Sequence, residues 1–181
     1  MAWALLYAVR VTDADPKNSP LFESAAFLLG QLGSHSAYRF DQLLAPLGIK
    51  PPQYGTLRLL EANDGRTQQQ LCDMLGIHRN VMVSLIDALE KRGLVERRRH
   101  PADRRAHAVH LLPAGREAIA RAAELADRLN AELLAPLEPE DRPRMLAMLQ
   151  RIAIGTGLTP GVHPGLTLDP GAMPMYDPGH S

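Results

Sequence analysis

Residues 67–98 decide the fold: TQQQLCDMLGIHRNVMVSLIDALEKRGLVERR. Thr67 suits a helix N-cap, and Gln70 stands three residues on, the spacing of a reciprocal capping box. A short helix over 68–75 follows, and Gly76 suits the left-handed residue that ends one. A second helix runs from about Arg79 to Arg92 and stops at Gly93. Its residues Val81, Met82, Leu85 and Leu89, with Ile86 shared, recur at helical spacing and form its core side. Two strands are expected next, over 94–99 and 106–112. The link between them, HPADRR, holds the turn-formers Pro101 and Asp103, so the pair reads as a hairpin with an exposed, charged tip.

Two short helices about one glycine turn, followed by a hairpin, make a winged helix-turn-helix. Such a unit has a mechanical reading. The first helix crosses a DNA backbone, and the second sets its N-terminal residues against base edges in the major groove. Here that second helix supplies His78, Arg79, Asn80, Met82 and Val83. Arg79 suits a bidentate contact to guanine and Asn80 one to adenine. Gln68 and Gln69 lie at the positive end of the first helix, where phosphates are attracted. Arg97 and Arg99, on the first wing strand, are expected on the phosphate backbone as well.

Charge supports this locally and not globally. The chain of 181 residues carries 20 basic and 20 acidic side chains. Between 91 and 105 the bases are Lys91, Arg92, Arg97, Arg98, Arg99, Arg104 and Arg105, against Glu96 and Asp103, a local excess of five. Such a patch neutralises phosphates and makes binding strongly salt-dependent. An arginine at a hairpin tip also suits a narrow, electronegative minor groove.

Outward from this centre the chain reads as mainly helical. One long helix is expected from about Pro20 to Pro46, with Phe22, Ala25, Ala26, Leu28, Leu29, Leu32, Leu43 and Leu44 as a broad apolar face. Pro51 and Pro52 open the next helix, where a missing N–H costs little, and Asn63, Asp64 and Gly65 break it. After Pro113 a helix carries Ala118, Ala122, Leu125, Leu129 and Leu133, and Pro136 stops it. A last helix follows Pro139, with Met145, Leu149 and Ile152 on one face. The expected division is a flexible lead-in over 1–19, a helix over 20–47, the winged helix over 48–112, helices over 113–154 and a disordered Gly/Pro-rich tail over 155–181.

Residues 48–116 resemble the MarR family of regulators. The matching stretches are LGIKPPQYGTLRLLE, the segment quoted at the outset, and HPADRRAHAVHLLPAGRE, with its Asp103-x-Arg105 element and the run Leu111-Leu112-Pro113-Ala114-Gly115. The likeness extends more loosely over 20–154. It implies a winged helix-turn-helix with a small β-hairpin wing, embedded between N- and C-terminal dimerisation helices of a homodimer. Two recognition helices would then meet successive major grooves of a pseudo-palindrome in double-stranded DNA. Arg105, with Arg104, would enter the minor groove, held by Asp103. Small aromatic effectors bind near the dimer helices of such proteins, which brings His35, Tyr38, Arg39 and Tyr54 forward as a ligand pocket. The bland reading of these four, as interface, surface or core residues, is preferred. The usual outcome in the family is repression relieved by ligand. Many relatives carry Asp or Ser where this chain has His78, which leaves the operator sequence open.

Other chemistries find little support. The one cysteine, Cys72, excludes an internal disulfide and sits at a small-residue position expected to pack between helices, where a thiol is normally inert. His107 and His110 point to opposite faces of a strand and cannot chelate together. No catalytic constellation, cofactor loop or metal spacing is present, and no run approaches the ~20 apolar residues of a membrane helix. A cytoplasmic, non-enzymatic protein is expected. The alternative is a winged-helix module whose wing binds protein.

Overall fold

The computed structural model describes residues 19–100 and 106–162. In chain order they form α1 (Ala25–Leu44), α2 (Pro51–Ala62), β1 (Arg66–Thr67), α3 (Gln68–Leu75), α4 (Arg79–Lys91), β2 (Val95–Arg99), β3 (His107–Leu111), α5 (Pro113–Leu134) and α6 (Asp141–Gly155). Contacts divide the chain into one unit ending at Arg39 and another beginning at Phe40.

The first unit holds most of α1. The expected helix from Pro20 is interrupted: Pro20–Glu23 is a 3-10 turn, and Ser24 is extended (φ −86°, ψ 113°). The Ser24 hydroxyl accepts from the Phe27 N–H at 3.3 Å and so caps α1. No side chain from Ala25 to Arg39 is fully buried, and Leu29 and Leu32 stand exposed.

In the second unit the helix-turn-helix forms as its caps dictate. The Thr67 hydroxyl accepts from the Gln70 N–H (3.2 Å), and the Gln70 side-chain Oε1 accepts from the Thr67 N–H (2.9 Å). Gly76 closes α3 in the left-handed conformation at φ 63°. Met82, Ile86 and Leu89 of α4 are wholly buried with Leu57, Leu60, Leu71, Val109 and Ile119. Each such side chain contributes about 1.5–3 kcal/mol on burial. Val81, expected on this core side, is 44% exposed. The stripe's axis runs through 82, 86 and 89, and Val81 lies one step of about 100° outside it.

The sheet has three antiparallel strands in the order β1-β3-β2, with Val95 opposite Leu111, Arg97 opposite Val109 and Arg99 opposite His107. β1 pairs Arg66 with Val109 and Thr67 with Ala108. It was not expected, because two residues carry no period to read.

Helix α5 contributes one face to the winged-helix core. Gly115, Ile119 and Ala122 are buried in the winged-helix core, packed against α2 and the hairpin. Leu129 is buried too, while Leu125 and Leu133 are only half-buried. No residue of α6 is fully buried; Met145 and Leu149 are half-covered, and Leu146, Met148, Ile152 and Ile154 are exposed. Its last turn runs through Gly155, where the tail was expected to begin. Thr156 caps it by donating its hydroxyl to the Ile152 carbonyl at 2.9 Å, and Val162 packs back on the core. Among the described residues no helix is long and apolar enough to cross a membrane.

Candidate nucleic-acid interface

The first turn of α4 projects from the lobe. His78, Arg79 and Asn80 are all exposed. His78 is the N-cap: its Nδ1 accepts from the Asn80 N–H at 3.3 Å. An accepting Nδ1 puts the neutral ring's hydrogen on Nε2 and leaves that atom as the donor. Two members of the expected recognition set behave otherwise. Met82 is fully buried and cannot reach a base edge, and Val83 is half-buried. The buried stripe of α4 begins at 82, and the residues ahead of it, His78 to Val81, are all exposed.

His78→Asp separates capping from recognition. Aspartate caps better and complements the helix dipole, so the variant is expected to gain about 0.5–1 kcal/mol of stability. If this turn meets DNA, the same charge would repel phosphates and the Nε2–H donor would be lost, so affinity for the native operator is expected to fall severalfold. Urea unfolding and duplex titration check the two signs; a tighter complex would refute the donor role.

At the start of α3, Gln69 donates to Asp73 at 2.9 Å. Gln68 is half-buried, and its Nε2 has no hydrogen-bond partner among the described residues. A buried amide hydrogen left without a partner is costly, so this group has capacity for an added acceptor.

The basic patch is partly neutralised from within. Arg92 donates to the carbonyls of Leu47 (2.7 Å) and Gly48, closing the 3-10 turn Ala45–Leu47 that follows α1. Gly48 is left-handed (φ 64°), and a Cβ there would lie 3.0 Å from the Arg92 guanidinium. Arg97 is held by Asp87 and Glu90 of α4, with its side chain 21% exposed. Those carboxylates raise its pKa against the opposing effect of burial. Arg97 is therefore committed inside the lobe instead of facing outward as expected. Arg98 pairs with Glu96 at the surface, a contact easily exchanged in water. Lys91 and Arg99 are exposed. Asp103, Arg104 and Arg105 lie outside the described residues.

Asp64, in the sequence only one of three helix breakers, joins the α2–β1 turn to β3. Its carboxylate accepts from the Leu111 N–H at 2.7 Å and lies 3.3 Å from His110 Nδ1. Burial opposes its charge, but the Leu111 N–H and His110 hold the carboxyl below the usual range. Gly65, at φ 77°, lets the turn pass the His110 ring. An acid beside a glycine just ahead of a strand was the available signal.

The four residues of the expected ligand pocket do not line the open cavity found beside α5. His35 and Tyr38 are exposed on α1, with Arg39 half-buried. Tyr54 packs edge-on against Phe40, ring centres 5.5 Å apart. Burial raises its hydroxyl pKa, although Arg58 opposes this. An open cavity of about 170 Å³ lies between Leu43, Pro46 and Leu47 and the α5 residues Arg121, Glu124, Leu125 and Arg128. Cys72 is 5% exposed, and burial pushes its thiol up. Among the described residues no cluster of His, Cys, Asp or Glu fits a metal ion.

An exposed helix N-terminus on a three-helix core, with a sheet carrying a hairpin beside it, defines a winged helix-turn-helix DNA-binding protein. The sequence profile of the MarR family matches residues 47–106. A putative transcriptional regulatory protein for the hcr operon of Thauera aromatica is 30% identical over 146 residues, 76% of this chain and 88% of that one. The chain belongs to the MarR family of transcriptional regulators. Among solved structures, the transcriptional repressor CouR bound to a 23-mer DNA duplex is 38% identical with a TM-score of 0.67, covering 77% of this chain and 99% of that one. CouR bound to p-coumaroyl-CoA is 36% identical with a TM-score of 0.62, covering 77% and 98%.

Proposed function

We propose that this regulator is a homodimeric repressor of a pseudo-palindromic operator, released by a small aromatic effector. The observation that carries the reading is the exposed first turn of α4, where His78, Arg79 and Asn80 stand clear of the core. Two such turns, one from each copy, would enter successive major grooves, with Arg99 and the 103–105 wing on the flanking backbone and minor groove.

Dimerisation rests on apolar surface that a single copy leaves in water. Leu29 and Leu32 on α1, and Leu146, Met148, Ile152 and Ile154 on α6, are exposed. Faces of that kind mark association sites. Repression and an aromatic effector are supported by the likeness to CouR, a repressor whose structures hold DNA in one case and p-coumaroyl-CoA in the other. The cavity beside α5 is smaller than the about 300–1,000 Å³ of typical ligand pockets. An effector would therefore need it enlarged or completed by the second copy.

A wing that binds protein is the second reading, favoured by the internal commitment of Arg92 and Arg97. Salt separates the two. If a dimer neutralises about six phosphates, raising salt from about 50 to 200 mM should lower duplex affinity roughly a thousandfold. Titration of the upstream intergenic duplex, with sedimentation to count chains per duplex and p-coumaroyl-CoA as the release probe, is the test. A flat salt dependence, or one chain per duplex, would overturn the proposal.

A further inference from the structure

We infer that Arg97 is a positioning residue that ties the wing to the recognition helix, so that both meet DNA as one body. The inference rests on the DNA-binding reading above and assigns to Arg97 a role distinct from phosphate contact.

Three contacts converge on this residue. Its guanidinium donates to Glu90 Oε2 and to Asp87 Oδ1, and its backbone N–H donates to Glu90 Oε1 at 2.8 Å. Asp87 and Glu90 are three apart, so they share one face of α4. A planar guanidinium has the fork to engage two carboxylates at once, which an ammonium lacks.

The place of these contacts matters more than their number. Val95, Arg97 and Arg99 share one face of β2 by strand alternation. Along that face the chain passes from core to solvent: Val95 is 1% exposed, Arg97 is partly covered, and Arg99 is exposed. Opposite Arg97 lies Val109, the buried centre of β3. Arg97 therefore stands one step inside the point where the hairpin leaves the core, since Ala108, opposite Arg98, is the last buried residue of β3 and His107, opposite Arg99, is exposed. Inward of it the strands are held by packing and by the Leu94 N–H to Leu89 carbonyl bond (3.0 Å). Outward of it run Arg98 to His100. The link to Asp87 and Glu90 fixes the angle at which that outer segment departs from α4. Without it the wing would sample more orientations, and its effective concentration at the minor groove would drop.

Arg97→Leu keeps the aliphatic bulk and removes the fork. Two readouts on the full chain decide the matter. In the free protein, hydrogen exchange at β2 and β3 amides is expected to quicken about tenfold while α2 and α5 stay unchanged. On the operator duplex, the fold-loss caused by Arg105→Ala is expected to shrink about fivefold or more in the Arg97→Leu background. The fold-loss caused by Arg79→Ala should stay the same. A variant that was merely less stable would leave both fold-losses unaltered. Unchanged exchange at β2, or an undiminished cost of Arg105→Ala, overturns the inference. If the native chain binds no duplex, the DNA-binding reading fails, and exchange alone still decides whether the link exists. Glu90→Gln is the milder substitute where Arg97→Leu does not fold; it should act in the same direction, and no change in exchange would count against the link.

Discussion

Gly115→Ala is expected to destabilise the lobe by about 3 kcal/mol, lowering the midpoint of thermal unfolding by roughly 6–12 °C. Gly115 is the third residue of α5, and its backbone is ordinary helix, so conformational freedom is not at issue. Space is. A Cβ there would lie 2.2 Å from the Leu94 carbonyl oxygen and 2.8 Å from Leu111 Cδ1. That carbonyl cannot retreat cheaply, because it accepts from the Leu112 N–H at 3.0 Å and so closes the base of the hairpin. The sign makes the test sharp. At an unhindered helical site the same change stabilises by about 1 kcal/mol through helix propensity. A raised or unchanged midpoint would mean that α5 does not approach the hairpin this closely.

The second large effect falls on DNA. One bidentate contact between an arginine and guanine discriminates by about 1–3 kcal/mol. In the proposed dimer the contact would be made twice, so Arg79→Ala is expected to lose roughly 2–6 kcal/mol on the native operator and much less on a duplex altered at the contacted base. Arg105→Ala should also weaken binding sharply, but across sequences alike if Arg105 enters the minor groove as proposed, because an arginine there reads groove width and charge more than base identity. Gel-shift titrations of both variants on native and altered duplexes check the contrast. Equal affinity of both variants and the native protein on the native operator would remove the mechanism.

Legibility in the sequence followed the range of the interactions. The α3–α4 pair could be read because its signals are local: Thr67 with Gln70, Gly76 at the bend, Gly93 at the end. The exposed Arg79 and Asn80 came with it, since the turn ahead of a buried stripe faces outward. Met82 was misassigned because stripe and reading face abut within one turn. β1 was missed because its partner lies more than forty residues away (Arg66 opposite Val109). Charge was the least legible property. Seven basic residues against two acids count as an excess, but a count within 91–105 omits Asp87 and Glu90, which turn Arg97 inward. Two acids three apart on α4, followed by an arginine on the next strand, was the signal available for that clamp. Gly115 stood in the family motif without a reason; its reason is the closeness of Leu94.

Cys72 carries a practical corollary. It is the sole thiol in the chain, it is buried on the core side of α3 at 5% exposure, and burial pushes its pKa up. A thiol reagent therefore reaches it only while the helix-turn-helix is open, since the thiolate is the reacting form. The rate of labelling becomes a clock for that opening, read at the centre of the lobe with no probe added. Bound operator should slow the clock in proportion to its affinity, so one native side chain reports both folding and occupancy.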